Sequence, residues 1–248
     1  MLTASESNRD TPDIETASDD YATRFRGRAG EFMLAVQKQA ILKVLQDKSP
    51  GSGLQLLDVG GGHGQLAGPL AHAGWRVVVT GSSPICQKNV GHDAEGRPLP
   101  FITCPLLDIP RPDHSFDTVI SVRLLSHMED WEALVGELCR LADRTVVIDY
   151  AAKDSLNILA AQTFGIKKAI EKNTRRYRSF WTRELKDAFR RHGFEPKGVY
   201  RQFSLPMAAH RILKGAAPGR WTEAALRAIG VTGLVGNPVI MRFDRVTA

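Results

Sequence analysis

At 248 residues, with 43% hydrophobic and 24% charged content, the chain suits one α/β domain of ordinary size with additions, large enough to bury a sizeable core. No apolar run approaches the roughly 20 residues that a membrane span needs, and the cysteines Cys86, Cys104 and Cys139 are odd in number and never form a Cys-x-x-Cys pair, which argues against a disulfide framework and against a zinc site. A net charge of +6 is too moderate to separate nucleic acid, an acidic substrate and simple solubility as its cause.

Residues 1–19 read as a disordered acidic tail, since Arg9 stands against Glu6, Asp10, Asp13, Glu15 and Asp19 with no apolar core of a signal peptide. Together with the reduced cysteines this points to a cytoplasmic protein. Residues 20–248 then form a single domain. Phe32, Val36, Ile41, Val44 and Leu45 leave a helical stripe over 32–45, and Lys48-Ser-Pro-Gly-Ser-Gly53 ends it. Leu54 to Val59 suits a strand buried on both faces, and it stops in Gly60-Gly-Gly-His-Gly64. These glycines supply positive φ and close approach, and the N–H groups of the helix starting near Gln65 or Leu66 face the gap, as suits an anionic or strongly polar ligand.

The remaining elements alternate. Strands are expected at 75–80, 100–104, 116–122 and 145–150, with helices at 84–90 and 131–141 between them, which makes the sheet parallel and doubly wound. Beyond it, 153–172 and 181–192 read as helices, 199–204 as a strand and 238–246 as an alternating last strand. Segments 151–180 and 205–237 stand out as cap or substrate-side insertions. The fold class is therefore a Rossmann-like, doubly wound α/β sheet, mostly parallel with an antiparallel last strand, plus N-terminal helices and a C-terminal helical insertion.

Two ligands compete for the glycine turn. Gly62-His-Gly-Gln-Leu-Ala67 satisfies G-x-G-x-x-A, a dinucleotide pattern, but Thr80-Gly-Ser-Ser83 stands where that pattern brings a ribose-binding acid. Only an NADP-like site accommodates this. The other pattern joins Asp58 to Gly60, Gly62 and Gly64 as Asp-x-Gly-x-Gly-x-Gly, and here the chain resembles the class I S-adenosylmethionine-dependent methyltransferases, of the methyltransferase type 11-like kind. Gly81-Ser-Ser-Pro84 stands at the family's Asp-x-Ser-Pro. Leu107-Asp-Ile-Pro-Arg-Pro-Asp-His-Ser-Phe-Asp117 and Leu125-Ser-His-Met-Glu-Asp130 follow two further motifs, and Arg178 to Phe194 fits the family's closing segment.

The resemblance implies S-adenosyl-L-methionine as cofactor and methyl transfer to a small, partly apolar acceptor at oxygen, nitrogen or carbon. It implies that Asp58 fixes the turn or the methionine amino group, that the backbone of Gly60, Gly61, Gly62, His63 and Gly64 approaches the cofactor, and that Leu107 and Asp108 lie beside adenine. Ser121 and Arg123 would line the cleft near the sulfonium, with His127 as candidate base at its mouth. Gly81 replaces the acid that in the family receives both ribose hydroxyls, with Ser82 or Ser83 as a partial substitute, and Pro105 replaces an acid beside adenine. These departures keep a non-catalytic S-adenosylmethionine-binding protein among the alternatives, beside an RNA-modifying methyltransferase and an NADP-dependent oxidoreductase.

Other residues carry blander readings. Asp117 falls at the start of a strand, where a structural role is expected, and Arg123 meets either an anionic acceptor or a neighbouring carboxylate. The histidines show no ligand spacing, so no metal is inferred. The basic stretch 167–191 suits either an RNA face or, more commonly, a solvated helix pair, which makes nucleic acid the less favoured partner. Segment 205–237, with Leu205, Met207, Ile212, Leu213 and Trp221, is read as a lid over an acceptor with His210 and Arg211 as its polar groups, or as a packing subdomain or dimer contact. Oligomeric state is left open by the sequence.

Overall fold

The structure, a computed structural model, describes residues 10–46, 54–155, 177–205, 210 and 217–246. Its centre is a seven-stranded sheet in the order β3-β2-β1-β4-β5-β7-β6. The strands are β1 (Gln55–Val59), β2 (Arg76–Gly81), β3 (Phe101–Thr103), β4 (Phe116–Ser121), β5 (Ala142–Tyr150), β6 (Phe194–Phe203) and β7 (Asn237–Arg245). β1 pairs in parallel with β2 and β4, as do β2 with β3 and β4 with β5, while β7 runs antiparallel to both β5 and β6. The chain builds outward from β1 through β2 to β3, then returns to start β4 on the other side. The gap between β1 and β4 is thus the topological switch point, where open α/β sheets take their ligands.

Alternation in β1 sends Leu57 and Val59 to one core and Leu56 to the other. The first core gathers Val119, Leu134, Leu138, Val146, Phe189 and Phe243, and the second Ile41, Leu70, Val77, Ile120, Val147 and Ile240. Helix α5 (Trp131–Leu141) covers the first because Trp131, Leu134, Val135, Leu138 and Leu141 recur at helical spacing, and Asp130 caps it by accepting from the Ala133 N–H at 3.0 Å. Helix α6 (Thr182–Arg191) joins it on that face through Leu185, Ala188 and Phe189.

Strand boundaries depart from expectation mainly at the far edge. β6 starts at Phe194 rather than Val199, since its antiparallel register with β7 runs from Phe194↔Arg245 to Phe203↔Asn237, and pairing outweighs the interrupting Pro196 and Gly198. Helix α3 spans Gly27–Val44, and its buried face is Gly30, Met33, Gln37, Ala40, Ile41 and Val44, with Phe32 and Val36 only half-buried; helix α4 (Ala67–His72) follows the glycine turn. Lys153 to Ser155 is turn and bend rather than helix; the rest of the helix expected over 153–172 lies outside the described residues. In the 205–237 insertion the structure describes helix α7 (Ala217–Ala228) and the short helix Val231–Val235.

The reading of 1–19 as a disordered tail needs correction from residue 10 onward. Helices α1 (Asp13–Thr16) and α2 (Asp19–Thr23) form there, and Asp13, Thr16, Ala17 and Tyr21 are buried. Ser18 caps α2 by accepting from the Tyr21 N–H at 3.2 Å. Acidic residues in this stretch serve as hydrogen-bond acceptors for the loops it crosses, so charge density does not translate into disorder.

The densest aromatic contact ties α6 to β7. Phe189 stacks on Phe243 with centroids 3.8 Å apart and planes at 10°, both rings fully buried. Replacing Phe189 by Ala should cost about 3–5 kcal/mol of folding stability in urea titration, whereas a loss below about 1 kcal/mol would mean that this packing is dispensable.

Candidate active site

The glycine turn leaves β1 at the switch point. Gly60 (φ 71°) and Gly64 (φ 67°) take left-handed backbone on either side of a 3-10 turn, Gly61–His63, which only glycine adopts without strain. Gly62 serves a different need from the one the sequence implies: a Cβ there would lie 2.6 Å from the Cys86 Cβ. The turn is packed against the segment Pro84–Asn89 that follows β2, so its smoothness admits protein backbone as well as any ligand.

Asp58 lies directly beneath the turn, within 2.3 Å of where a Cβ on Gly61 would stand. It is fully buried, and among the described residues neither carboxylate oxygen has a hydrogen-bond partner. Burial pushes its pKa up to about 7. A buried, unpartnered carboxylate is costly in its charged form, and a cationic group arriving at the turn would relieve that cost.

His63 is buried within the turn, its Nδ1 accepting from the Gln65 N–H at 3.1 Å. That bond places the ring proton on Nε2. Burial, and then the nearby Arg123 charge, lower its pKa to about 3, so the ring stays neutral and shapes the turn along with the backbone.

β2 and β4 deliver the other expected residues to the same edge. Ser121 is buried, its hydroxyl 3.4 Å from the Val59 carbonyl. Arg123 takes φ 63°, a left-handed conformation that bulky residues adopt at a cost of order 1–3 kcal/mol and that clusters at functional sites. Its N–H donates to Asp149 Oδ1 at 2.6 Å, its Nη2 donates to Gln37 Oε1, and its guanidinium lies 4.1 Å over the Phe25 ring. Burial raises the pKa of Asp149 to about 6 against the opposing effect of Arg123. Asp149 is thus met by the Arg123 backbone N–H, while the guanidinium contacts described here are to the neutral Gln37 amide and the Phe25 ring rather than to a carboxylate. His127 closes the 3-10 turn Leu125–His127 after β4, its ring 5.4 Å from Tyr177. Leu107 and Asp108 sit on the loop after β3, Leu107 half-buried against the first core and Asp108 exposed.

Sequence reasoning missed the N-terminal strap. Asp13 Oδ2 accepts from the Ser82 N–H at 2.6 Å and from Cys86 Sγ at 3.3 Å, while Oδ1 accepts from Ser82 Oγ at 2.6 Å. Ser82, expected to face a ligand, is engaged by Asp13. Asp10 accepts from the Glu129 N–H at 2.9 Å, Asn89 Nδ2 donates to the Ala17 carbonyl, and Lys88 pairs with Asp19 at 2.9 Å. Residues 10–19 thus bridge the loops following β2 and β4. The signal available in the sequence was Ser18-Asp-Asp, an N-cap followed by acids in the first turn.

The region matching a known family is the one that builds this edge. Residues 57–146, from β1 through the glycine turn to β5, match the family model described as a methyltransferase domain. The match is to 90 of the 248 residues. Among curated proteins the chain is similar to magnesium-protoporphyrin O-methyltransferase of Synechocystis, 33% identical over 135 residues covering 50% of this chain and 56% of that one. It is also similar to ubiquinone biosynthesis O-methyltransferase of Paramagnetospirillum magneticum, 34% identical over 91 residues covering 35% of each. The chain spans about half the length of the first and about a third of the second. In fold it resembles the crystal structure of the Synechocystis magnesium protoporphyrin IX methyltransferase with bound S-adenosylhomocysteine, with TM-score 0.58, 21% identity and coverage of 86% of this chain and 83% of that one.

Around this matched stretch, the described polar groups away from the switch point are largely engaged with one another. Asp117 accepts from the Gln55 N–H at 2.8 Å, the structural role expected. Arg178, Arg183, Arg190 and Arg191 pair with Glu184, Asp187, Glu195 and Glu132, which favours a solvated, charge-paired helix over an RNA face; the basic residues 167–176 lie outside the described residues. His210 is buried against Phe32 and Phe203 and 2.9 Å from Glu223, so its ring packs the insertion onto α3 and β6. Arg211 lies outside the described residues. No described helix is long and apolar enough to cross a membrane.

The titration of Asp58 gives a test that needs no ligand. An unfolded Asp titrates near about 3.9, so between that value and 7 the folded chain holds a proton that the unfolded chain has lost. This contribution to stability is full at low pH and disappears as pH rises through about 7. Asp58→Asn should therefore flatten the fall in urea midpoint between about pH 5 and 8, and parallel curves for variant and parent would contradict the burial of an ionisable Asp58.

Proposed function

We propose that the chain is a methyltransferase that uses S-adenosyl-L-methionine to methylate a small, partly apolar acceptor at oxygen, nitrogen or carbon. The observation that carries this reading is the Asp58 carboxylate beneath the glycine turn, which has no hydrogen-bond partner among the described residues. A zwitterionic amino acid joined to a nucleoside suits it: an ammonium for Asp58, backbone amides for the polar remainder and an apolar slot for a base. The two similar curated proteins, both O-methyltransferases, point the same way.

S-adenosylmethionine, when bound, supplies an electrophilic methyl group on a sulfonium. The residues of this chain would then mainly hold and align. Asp58 holds the ammonium, the backbone from Gly60 to Gly64 follows the methionine moiety, and Leu107 with Asp108 flanks the base. Ser121 and Arg123 line the path toward the acceptor, and the contacts of Arg123 with Asp149, Gln37 and Phe25 keep that wall rigid. In-line displacement gains chiefly from such positioning. His127 takes a proton only where the acceptor must lose one. The three free, buried cysteines support a reduced, cytoplasmic setting.

Heating the protein with S-adenosylhomocysteine or with NADPH separates this reading from an oxidoreductase. At about a hundred times its dissociation constant a ligand adds roughly 2.7 kcal/mol, or roughly 5–10 °C in a chain of this size. Stabilisation is expected with S-adenosylhomocysteine, and stabilisation by NADPH alone would overturn the reading. Transfer of labelled methyl to a quinone-precursor phenol or a porphyrin carboxylate would then define the acceptor class.

A further inference from the structure

We propose that Asp13 supplies the carboxylate that receives the ribose hydroxyls of the cofactor, in place of the acid that position 81 lacks. The inference rests on the proposed use of S-adenosylmethionine and concerns one part of that site. Asp13 Oδ2 lies 3.2 Å from where a Cβ on Gly81 would be, so its carboxylate fills the space that an acidic side chain at 81 would reach. A Cβ at 81 would also meet the Cys86 Cβ at 2.7 Å and the Phe101 Cζ at 2.8 Å, so the packing here admits only glycine. Glycine at the end of β2 is what lets a carboxylate enter from another element.

The chemistry of the carboxylate fits a diol. Asp13 is fully buried, yet its partners, the Ser82 N–H, the Ser82 hydroxyl and the Cys86 thiol, are all neutral donors. These donors take three of the about four acceptor sites on the two oxygens, which leaves about one for a ligand hydroxyl, and a second is freed when the Ser82 hydroxyl, which can rotate, turns away from Asp13. Placement agrees: β2 lies beside β1 with Asp58↔Val79 and Val59↔Thr80 in register, so a ligand anchored at Asp58 by one end passes the end of β2 with its next polar portion. The strap that carries Asp13 is held on both sides, by Asp10 to the loop before α5 and by Ala17 and Asp19 to Asn89 and Lys88.

Titrating full-length parent, Asp13→Asn and Asp13→Ala with S-adenosylhomocysteine and with its 2′,3′-dideoxy analogue tests the assignment. Hydrogen bonds to a charged group set the expected loss for S-adenosylhomocysteine at about tenfold to a hundredfold in both variants, while the dideoxy analogue should bind parent and variants within about threefold of one another. Parallel losses for both ligands would make Asp13 merely structural, and tighter binding in the variants would make it an occluding group; either overturns the proposal. A parent that fails to bind S-adenosylhomocysteine would sink the cofactor reading itself. Should the variants not fold, the parent alone decides: at equal occupancy S-adenosylhomocysteine should slow tryptic cleavage at the exposed Arg24 and Arg26 more than the dideoxy analogue does, and equal protection contradicts the role of Asp13.

Discussion

A carboxylate buried under a glycine turn, with no partner among the described residues, is the constraint around which this molecule is arranged. Removing Asp58 from water with neither oxygen hydrogen-bonded among the described residues opposes folding in its charged form, and no local feature of β1 requires an acid there: its neighbours Leu56, Leu57 and Val59 pack as apolar residues. Such a group is useful when a cation completes it. The glycines above it, the neutral His63 within the turn and the left-handed Arg123 opposite all belong to the same edge, and each is a local compromise that the surrounding sheet holds in place.

Closure of that edge comes from outside the sheet. Helices α1 and α2 span four and five residues, far too short to persist on their own, so the strap exists through its tertiary contacts. Those contacts join the loops after β2 and β4, the two sides of the switch point. An element of this kind lies at the low-stability end of a structure, where opening and closing over a ligand are least costly. In the proposed function, cofactor exchange and the docking of Asp13 are then linked events.

Much of the architecture was legible because buried parallel strands read as apolar runs and glycine marks the turn between β1 and the next helix. Helix Trp131–Leu141 is the clearest case, with an aspartate cap and apolar residues at helical spacing. Four site residues, Asp58, Gly60, Ser121 and Arg123, meet at one edge because strand order places the ends of β1 and β4 together. What could not be read was tertiary. Asp13 is one of many acids in a polar stretch, and only the fold reveals that it reaches Ser82, 69 residues on. Gly62 and Gly64 suggested room for a ligand, whereas the segment Pro84–Asn89 occupies part of that room. His210 resembled a lid residue until its pairing with Glu223 placed it in the packing of the insertion.

The link between Asp58 and the cofactor is open to one direct measurement. With Asp58 titrating at about 7, an ammonium that pairs with it must displace its proton when binding occurs below that pH. Calorimetric titration with S-adenosylhomocysteine at about pH 6, in two buffers of different ionisation enthalpy, counts that proton. Release close to one proton in the parent and none in Asp58→Asn, with weaker binding in the variant, is expected. Binding that releases no proton and is unchanged by Asp58→Asn would contradict the pairing and with it the role assigned to the turn.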